Sequence, residues 1–202
     1  MLKIGRLQRG FTLIELVIGV AIMALLLALA APAFSTYSEN AKLRGISGSF
    51  LASAQTARAE AIRSNQSVQM LLTSDSPVAA NAATTNLNAT AGSWIIRALS
   101  NDPTPVYRFV DGKSAMEASS RADGTSSVLI SAQSNGAATP LITFNGAGST
   151  SLGAVWLVDF KSTTGSCAPS GTVRCLRVEV TVSGQIKACD PAATGAGDTR
   201  KC

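Results

Sequence analysis

The sequence contains no histidine, and its four cysteines form no Cys-x-x-Cys pair. Imidazole and thiolate are the usual zinc ligands, and histidine is the usual base for a serine or cysteine nucleophile. The chain also has no Gly-x-Ser-x-Gly elbow, no phosphate-binding glycine loop with lysine and no His-Glu-x-x-His, and Gly146-Ala147-Gly148 lacks the rest of a dinucleotide fingerprint. We therefore expect no catalytic residue, no metal and no cofactor, and thus no enzyme.

Charged residues are also scarce, at 14% of the chain. The net charge is +5, but without Lys3, Arg6 and Arg9 near the amino terminus it is only +2. A nucleic-acid partner is indicated by clustered cations, so this total alone does not predict one. Outside the helical region described below, about 135 residues remain, which is enough for one modest core. We expect one globular domain.

The longest feature present is an apolar run from Phe11 to Phe34, interrupted only by Thr12, Glu15, Gly19 and Pro32. At about 1.5 Å per residue, a helix of this length crosses a bilayer core of roughly 30 Å. The run therefore predicts a membrane span. An unpaired carboxylate deep in that span would cost on the order of 2.5–3.5 kcal/mol, so Glu15 requires a counter-charge.

An ordinary secretory signal peptide is the alternative interpretation of this run. Lys3, Arg6 and Arg9 would form its charged region, with cleavage after Ala28-Leu29-Ala30 or Ala31-Pro32-Ala33. Against it, the apolar region of such signals is shorter and carries no acid. On either interpretation the basic leader stays in the cytoplasm and the rest of the chain is exported.

The stretch Gly10-Phe11-Thr12-Leu13-Ile14-Glu15-Leu16, behind a basic leader, resembles the class III signal of type IV pilins and type II secretion pseudopilins. The resemblance implies that a prepilin peptidase cleaves after Gly10 and methylates Phe11. It also implies that Glu15 neutralises the terminal amine of a neighbouring subunit in a filament, and we assign Thr12, Glu15 and Pro32 to assembly. The implied regions are a leader (1–10), a transmembrane half-helix (11–33), an amphipathic half-helix (34–65) and a β-rich periplasmic domain (66–202).

Past the span, the same helix is predicted to continue with an apolar stripe. The stripe residues recur at three- and four-residue steps and are Leu43, Ile46, Phe50, Ala54, Ala57 and Ala61. Pro32 is predicted to kink the helix, because proline has no N–H and its ring clashes with the preceding turn. We expect the helix to end near Ser64-Asn65.

After the helix, the apolar period changes to that of β-strands. We predict strands over Gln66 to Thr73, Ser93 to Leu99, Val106 to Val110, Ser127 to Ser131, Leu141 to Phe144 and Ala154 to Phe160. The long loop from Ser74 to Gly92 has little apolar area, so we predict that it does not pack and is mobile. The pattern favours an α+β fold with the long helix packed on an antiparallel sheet.

The clearest strand pair is predicted at the end of the chain, from Val173 to Val182 and from Gln185 to Cys189. A two-residue turn at Ser183-Gly184 would place Val178 opposite Cys189 and would leave Cys175 too far along the strand to bridge Cys189. Four cysteines allow three pairings, and this argument favours Cys167 with Cys175 and Cys189 with Cys202. An oxidising periplasm makes disulfides the default.

Two regions extend the resemblance to the minor pilin and H-type pseudopilin family (FimT, FimU and GspH). They are the helix segment Ala52 to Val68, and the closing strand Leu176-Arg177-Val178 with Gly184 to Pro191 and Cys202. The resemblance implies a low-abundance structural subunit that primes or caps a type IV pilus or a type II secretion pseudopilus. It would cross the inner membrane once, with its carboxyl-terminal domain in the periplasm and other pilin-type subunits as partners.

Two further functions are weighed against this one. FimT-type relatives that are implicated in DNA uptake carry Gly-Arg-x-Arg in the last hairpin, where this chain reads Gly184-Gln185-Ile186-Lys187. DNA contacts would then fall on the cations of the carboxyl-terminal region, which are Arg174, Arg177, Lys187, Arg200 and Lys201, with Glu179, Asp190 and Asp198 offsetting them. The last alternative is an exported periplasmic β-domain released by ordinary signal cleavage.

Overall fold

A computed structural model of the chain describes residues 11–100, 102, 104, 106–120 and 125–202, without the side chains of residues 30–33 and 118. The predicted leader, with the cleavage site at Gly10, lies outside the described residues. The elements are α1 (Leu13–Ser64), β1 (Val68–Thr73), β2 (Ser93–Leu99), β3 (Tyr107–Ser114), α2 (Met116–Ser119), β4 (Val128–Ser134), β5 (Ala137–Ala138), β6 (Leu141–Phe144), β7 (Trp156–Ser162), β8 (Leu176–Val180) and β9 (Ile186–Cys189). A 3-10 turn covers Ala79–Asn81.

Helix α1 begins with a side-chain cap. The Glu15 amide donates to Thr12 Oγ1 at 3.3 Å, and the Leu16 amide donates to the Thr12 carbonyl at 3.2 Å. The Thr-x-x-Glu spacing is that of a capping box, in which the threonine satisfies a free amide of the first turn. Thr12 therefore sets the start of α1 and places Glu15 on its first turn.

Large apolar side chains along the first part of α1 are exposed, from Phe11 at 85% to Leu29 at 70%. In the described part of the chain, no single helix has both the length and the apolar composition of a membrane span, whereas Leu13–Leu29 and Phe34–Ser64 qualify together as a bent pair. The residues between these two segments include Pro32, whose side chain lies outside the described residues. The proline kink therefore stays a prediction.

Residues 38–202 form one compact unit, and the predicted stripe of α1 is confirmed within it. All six stripe residues from Leu43 to Ala61 are at most 1% exposed. The helix ends at Ser64, where Asn65 adopts a left-handed φ of 49° and the Gln66 amide donates to the Ala61 carbonyl at 3.3 Å. Asparagine tolerates this conformation better than most residues, so the sequence fixes the helix end locally.

The predicted α+β fold with antiparallel strands is confirmed, and the strands form two sheets. The first has the order β3-β2-β1-β6, and the second has the order β5-β4-β7-β8-β9. The predicted bounds of β2 and β6 are confirmed, and the other predicted strands are present with shifted ends. Strand β5 and helix α2 were not predicted, because they are too short to show a period.

Phe50 of α1 links the two sheets. Its ring lies 5.2 Å from the ring of Trp94 on β2, 5.8 Å from Trp156 and 5.4 Å from Phe160, both on β7. The pairs with Trp94 and Phe160 are edge-on, an arrangement that contributes beyond simple burial at these centroid distances. All four rings are at most 1% exposed, so this cluster forms the centre of the core.

The prediction that the loop from Ser74 to Gly92 does not pack was wrong. Its alanines at positions 82, 89 and 91 are buried, and Arg97 on β2 donates hydrogen bonds to its backbone. Arg97 donates to Gln69 Oε1 at 2.8 Å, to the Ala82 carbonyl at 2.9 Å and to the Thr84 carbonyl at 3.0 Å, while its guanidinium lies 4.0 Å from the Tyr107 ring centre. These contacts come from distant parts of the sequence, and local composition does not reveal them.

The predicted two-residue turn of the last hairpin was also wrong. The Thr181 amide donates to the Gln185 carbonyl at 2.9 Å, so the loop is Val182-Ser183-Gly184. Gly184 has a φ of 80°, and a glycine in this conformation is typical of the third residue in a three-residue hairpin loop. The strand register therefore shifts by one residue, and Val178 pairs with Ala188 instead of Cys189.

Candidate functional site

The amino-terminal segment presents an acid in apolar surroundings. Glu15 lies on the first turn of α1, and Leu13, Ile14 and Leu16 around it are all more than 60% exposed. Within the described residues, no cation pairs with its carboxylate. An exposed apolar helix carrying one acid near its start is suited to pack against other helices that supply the counter-charge.

At the other end of the chain, two disulfides tie the tail to the ectodomain. Cys167 is bonded to Cys175 with a Cα separation of 5.4 Å, and Cys189 is bonded to Cys202 with a Cα separation of 5.0 Å. These are the two pairs that the sequence analysis favoured. The Glu179 carboxylate lies within 4.8 Å of both sulfurs of the second pair, but the bonded sulfurs offer a metal no thiolate.

Acids neutralise three of the five cations that were predicted to contact DNA. Arg177 pairs with Asp159 at 2.6 Å, Lys187 pairs with Glu179 at 3.0 Å and Arg200 pairs with Asp198 at 2.8 Å. The Arg200 guanidinium lowers the pKa of Asp198 to about 2. Asp159 lies on β7 and meets Arg177 only through the strand register, so its role could not be predicted from the sequence.

Arg174 and Lys201 form no salt bridge among the described residues, although the Arg174 charge contributes to the lowered pKa of Asp198. The five predicted cations therefore do not form one open basic cluster, and the pattern of ion pairs does not favour a phosphate backbone as partner. DNA contact by these residues stays a prediction.

The tip of the last hairpin is held against the rest of the compact unit. A Cβ added to Gly184 would overlap the carbonyl oxygen of Gly148, and the same oxygen accepts a hydrogen bond from Arg58 Nε at 3.0 Å. The Thr150 amide donates to the Val182 carbonyl at 2.9 Å. The hairpin tip is therefore a packed element of the domain and not a projecting finger.

Glu60 makes two ion pairs, one within α1 and one that connects α1 to the first sheet. Its Oε1 lies 2.8 Å from Arg63 Nη2, one turn further along the helix, and 2.5 Å from Arg108 Nη2 on β3. Hydrogen bonds from Arg63 and then from Arg108 lower the pKa of Glu60 to about 2. The spacing to Arg63 is visible in the sequence, but the pairing with Arg108 depends on the fold.

Replacing Glu60 by glutamine is expected to lower stability at neutral pH, by an amount that shrinks on acidification. The folded-state pKa lies below the ordinary value of 4.5. The stabilisation is therefore fully present above pH 4.5 and is lost as the pH falls toward 2. Urea unfolding of the full chain in detergent, followed by tryptophan fluorescence at several pH values, measures the difference between wild type and variant.

The matched control for this measurement is Glu117→Gln. Glu117 is exposed on α2 and makes no ion pair in the described part of the chain. Its substitution is expected to leave the unfolding midpoint unchanged at every pH. A stability difference between wild type and Glu60→Gln that stays constant from pH 7 to pH 2.5 would contradict the role of the ionised Glu60 carboxylate in these ion pairs.

A groove lies between α1 and the carboxyl-terminal strands, with a volume of about 270 Å³. Its walls carry three arginines and one aspartate, and its lining residues are Asn40, Arg44, Arg174, Leu176, Ala188, Cys189, Asp190, Thr199 and Arg200. A second groove of about 300 Å³ is lined by Gln55, Arg58, Ala59 and Ile62 of α1 together with Gln185 and Ile186. Both grooves therefore follow the same strand, β9.

Two sequence families match the chain. Residues 5–31 match the prokaryotic N-terminal methylation motif, and residues 47–184 match the family described as type II transport protein GspH. The second match covers more than half of the chain and includes the end of α1 and the strands through β8. A search of curated proteins finds no match.

Several solved structures are similar to the chain. The type IV minor pilin FimU of Pseudomonas aeruginosa is 15% identical over 80% of this chain and 97% of its own, with a TM-score of 0.49. The minor pseudopilin EpsH of Vibrio cholerae is 11% identical over 79% and 99%, with a TM-score of 0.49. The solution structure of E. coli GspH is 16% identical over 80% and 93%, with a TM-score of 0.42.

Proposed function

Since the chain belongs to the type II transport protein GspH family and is a minor pilin or pseudopilin, we propose that it is a low-abundance subunit that primes or caps a filament. The observation that carries the proposal is Glu15, the acid on the first turn of α1, in the part of that helix that exposes large apolar side chains. The match of residues 5–31 to the methylation motif supports it. Cleavage after Gly10, which we propose, would put the new amino terminus four residues before Glu15.

The proposed assembly step is the pairing of opposite charges on neighbouring subunits. A prepilin peptidase cleaves after Gly10 and methylates Phe11, which leaves an ammonium and a carboxylate within one turn of helix. Each of them is costly in lipid without a partner. When the Phe11 ammonium of one subunit pairs with Glu15 of its neighbour, both charges are neutralised, and the apolar side chains of the two helices pack against each other.

The proposed location is the inner membrane, crossed once by the first part of α1, with residues 38–202 in the periplasm. Two disulfides support this placement, because such bonds persist in an oxidising compartment and are rare in the cytosol. In the filament, the partners are other pilin-type subunits.

The proposal is tested by deleting the gene and restoring it on a plasmid. The deletion is expected to reduce the number of filaments on sheared cells or in overexpressed pseudopili, and the plasmid copy is expected to restore it. Quantitative mass spectrometry of purified filaments should find the chain at a small fraction of the major subunit. Unchanged filament numbers, or the chain as the principal subunit, would contradict the proposal. Scoring surface pili and protein secretion in the same strains assigns the machine.

A further inference from the structure

Strand β9 forms one edge of the second sheet, and its outward backbone groups can be assigned. Thr181 and Gln185 pair through the Thr181 amide, so the hydrogen-bonded pairs continue at Glu179 with Lys187 and at Arg177 with Cys189. In an antiparallel pair, the residues between these positions point their N–H and C=O groups away from the partner strand. Ile186 and Ala188 therefore present their backbone groups to the free edge.

The tail of the chain already pairs with this edge at Asp190, which directly follows β9 and is the next residue whose backbone groups point away from β8. The Asp190 amide donates to the Arg200 carbonyl at 2.7 Å, and Asp190 forms a parallel bridge with Lys201. The Cys189–Cys202 disulfide holds that segment in place. An extended segment thus pairs with the edge at Asp190, and among the described residues nothing pairs with it at Ile186 and Ala188.

The two grooves lie beside this unpaired part of the edge. Ala188 lines the groove next to Arg44, and Ile186 lines the groove next to Ile62 of α1, whose side chain is 51% exposed. The helix-facing side of the edge therefore offers apolar contacts at one end and cations at the other. A segment that pairs with the edge would place alternate side chains into these grooves.

The cations at one end favour an acidic occupant. Arg44 and Arg174 are exposed, and neither forms a salt bridge in the described part of the chain, although the Arg174 charge also acts on Asp198. Arg200 is neutralised by Asp198, and Asp190 Oδ1 accepts a hydrogen bond from the Ala192 amide. The three arginines of this groove outnumber Asp190 and Asp198, so this end of the groove keeps a net positive charge that complements one further carboxylate.

We propose that an extended segment of a neighbouring pilin-type subunit adds to the edge of β9 at Ile186 and Ala188, with an aspartate or glutamate between Arg44 and Arg174. This inference rests on the proposed function, because it takes a filament subunit as the partner. Main-chain hydrogen bonds to the edge would hold the segment, and the carboxylate would fix its register.

The test uses the full chain in the deletion strain, with the photoreactive residue benzoylphenylalanine at Ala188, or at Thr199 if the first variant does not enter filaments. Both positions are exposed in the arginine groove. After irradiation of sheared filaments, mass spectrometry is expected to locate the adduct on an acidic extended segment of another subunit that carries the same methylation motif. The matched control places the photoreactive residue at Ala137, on the opposite edge of the same sheet, where no such adduct is expected.

Charge reversal tests the carboxylate contact separately from the main-chain pairing at the edge. The double variant Arg44→Glu, Arg174→Glu is expected to lower the adduct yield about tenfold, the effect of losing roughly 1.4 kcal/mol of pairing. Lys161→Glu, an exposed cation on β7, is expected to leave the yield unchanged. An Ala188 yield no higher than that of Ala137 would overturn the inference, as would an adduct on lipid, nucleic acid or a segment without an acid, or a yield unaffected by charge reversal.

Filament incorporation is measured in the same samples. If the chain is present in filaments but the adduct is absent, the edge inference fails and the proposed function stands. If the chain without any photoreactive residue is absent from filaments, both fail together.

Discussion

Replacing Glu15 by leucine is expected to remove the chain from filaments while leaving residues 38–202 folded. Leucine is as apolar as the residues around position 15, so the substitution does not impair insertion into the membrane. What is lost is the counter-charge for the Phe11 ammonium of the next subunit. An unpaired charge in the bilayer core costs on the order of 2.5–3.5 kcal/mol, and 1.4 kcal/mol is tenfold in an equilibrium, so incorporation should fall about tenfold or more.

The measurement is the ratio of the chain in sheared filaments to the chain in membranes, by quantitative mass spectrometry. Glu117→Leu is the matched control, because it removes an exposed acid outside α1 and is expected to incorporate normally. The fluorescence of Trp94 and Trp156, both buried in the core, reports whether each variant is folded. Normal incorporation of Glu15→Leu would show that the pairing of charges does not drive assembly.

The second large effect is expected from Phe50→Ala, which should lower the free energy of unfolding by about 3–5 kcal/mol, the usual cost of deleting a buried phenylalanine. Phe50 is fully buried and contacts tryptophan or phenylalanine rings on both sheets. Its loss leaves a cavity at the point where α1 joins β2 to β7. A total stability of 5–15 kcal/mol is typical of such domains, so this loss is a large part of it.

Urea unfolding of the full chain in detergent, followed by tryptophan fluorescence, measures this effect. Phe34→Ala removes the same atoms from a side chain that is 73% exposed, and it is expected to change the midpoint little. Equal midpoints for the two variants would contradict the role of Phe50 at the centre of the core.

Features that repeat over many residues, such as the apolar stripe of α1, could be predicted from the sequence. The length of the last hairpin loop could not. The apolar stripe of α1 repeats over six positions, so its burial follows from the period alone. Ser183-Gly184 fits both a two-residue turn and the end of a three-residue loop, and only the Thr181–Gln185 hydrogen bond distinguishes them. A shift of one residue changed the whole register of the hairpin.

Some ion pairs of the candidate site could likewise be predicted from the sequence, and others depend on the fold. Arg200 and Asp198 are two residues apart, and their pairing is visible in the sequence. Arg177 meets Asp159 only because β8 pairs with β7 in a particular register, so counting cations overestimated the basic surface. The same applies to Arg97, whose oxygen partners come from β1 and from a loop that composition alone predicted to be unpacked.

The central claim is that Glu15 is kept in the mature chain to neutralise a sister subunit. The mass of the amino-terminal peptide of protein recovered from cells tests it most directly. We predict a chain that begins at a methylated Phe11 and contains Glu15. A mature chain that begins near Ala31 or Phe34, and so lacks Glu15, would contradict the filament role and would leave an exported β-rich domain.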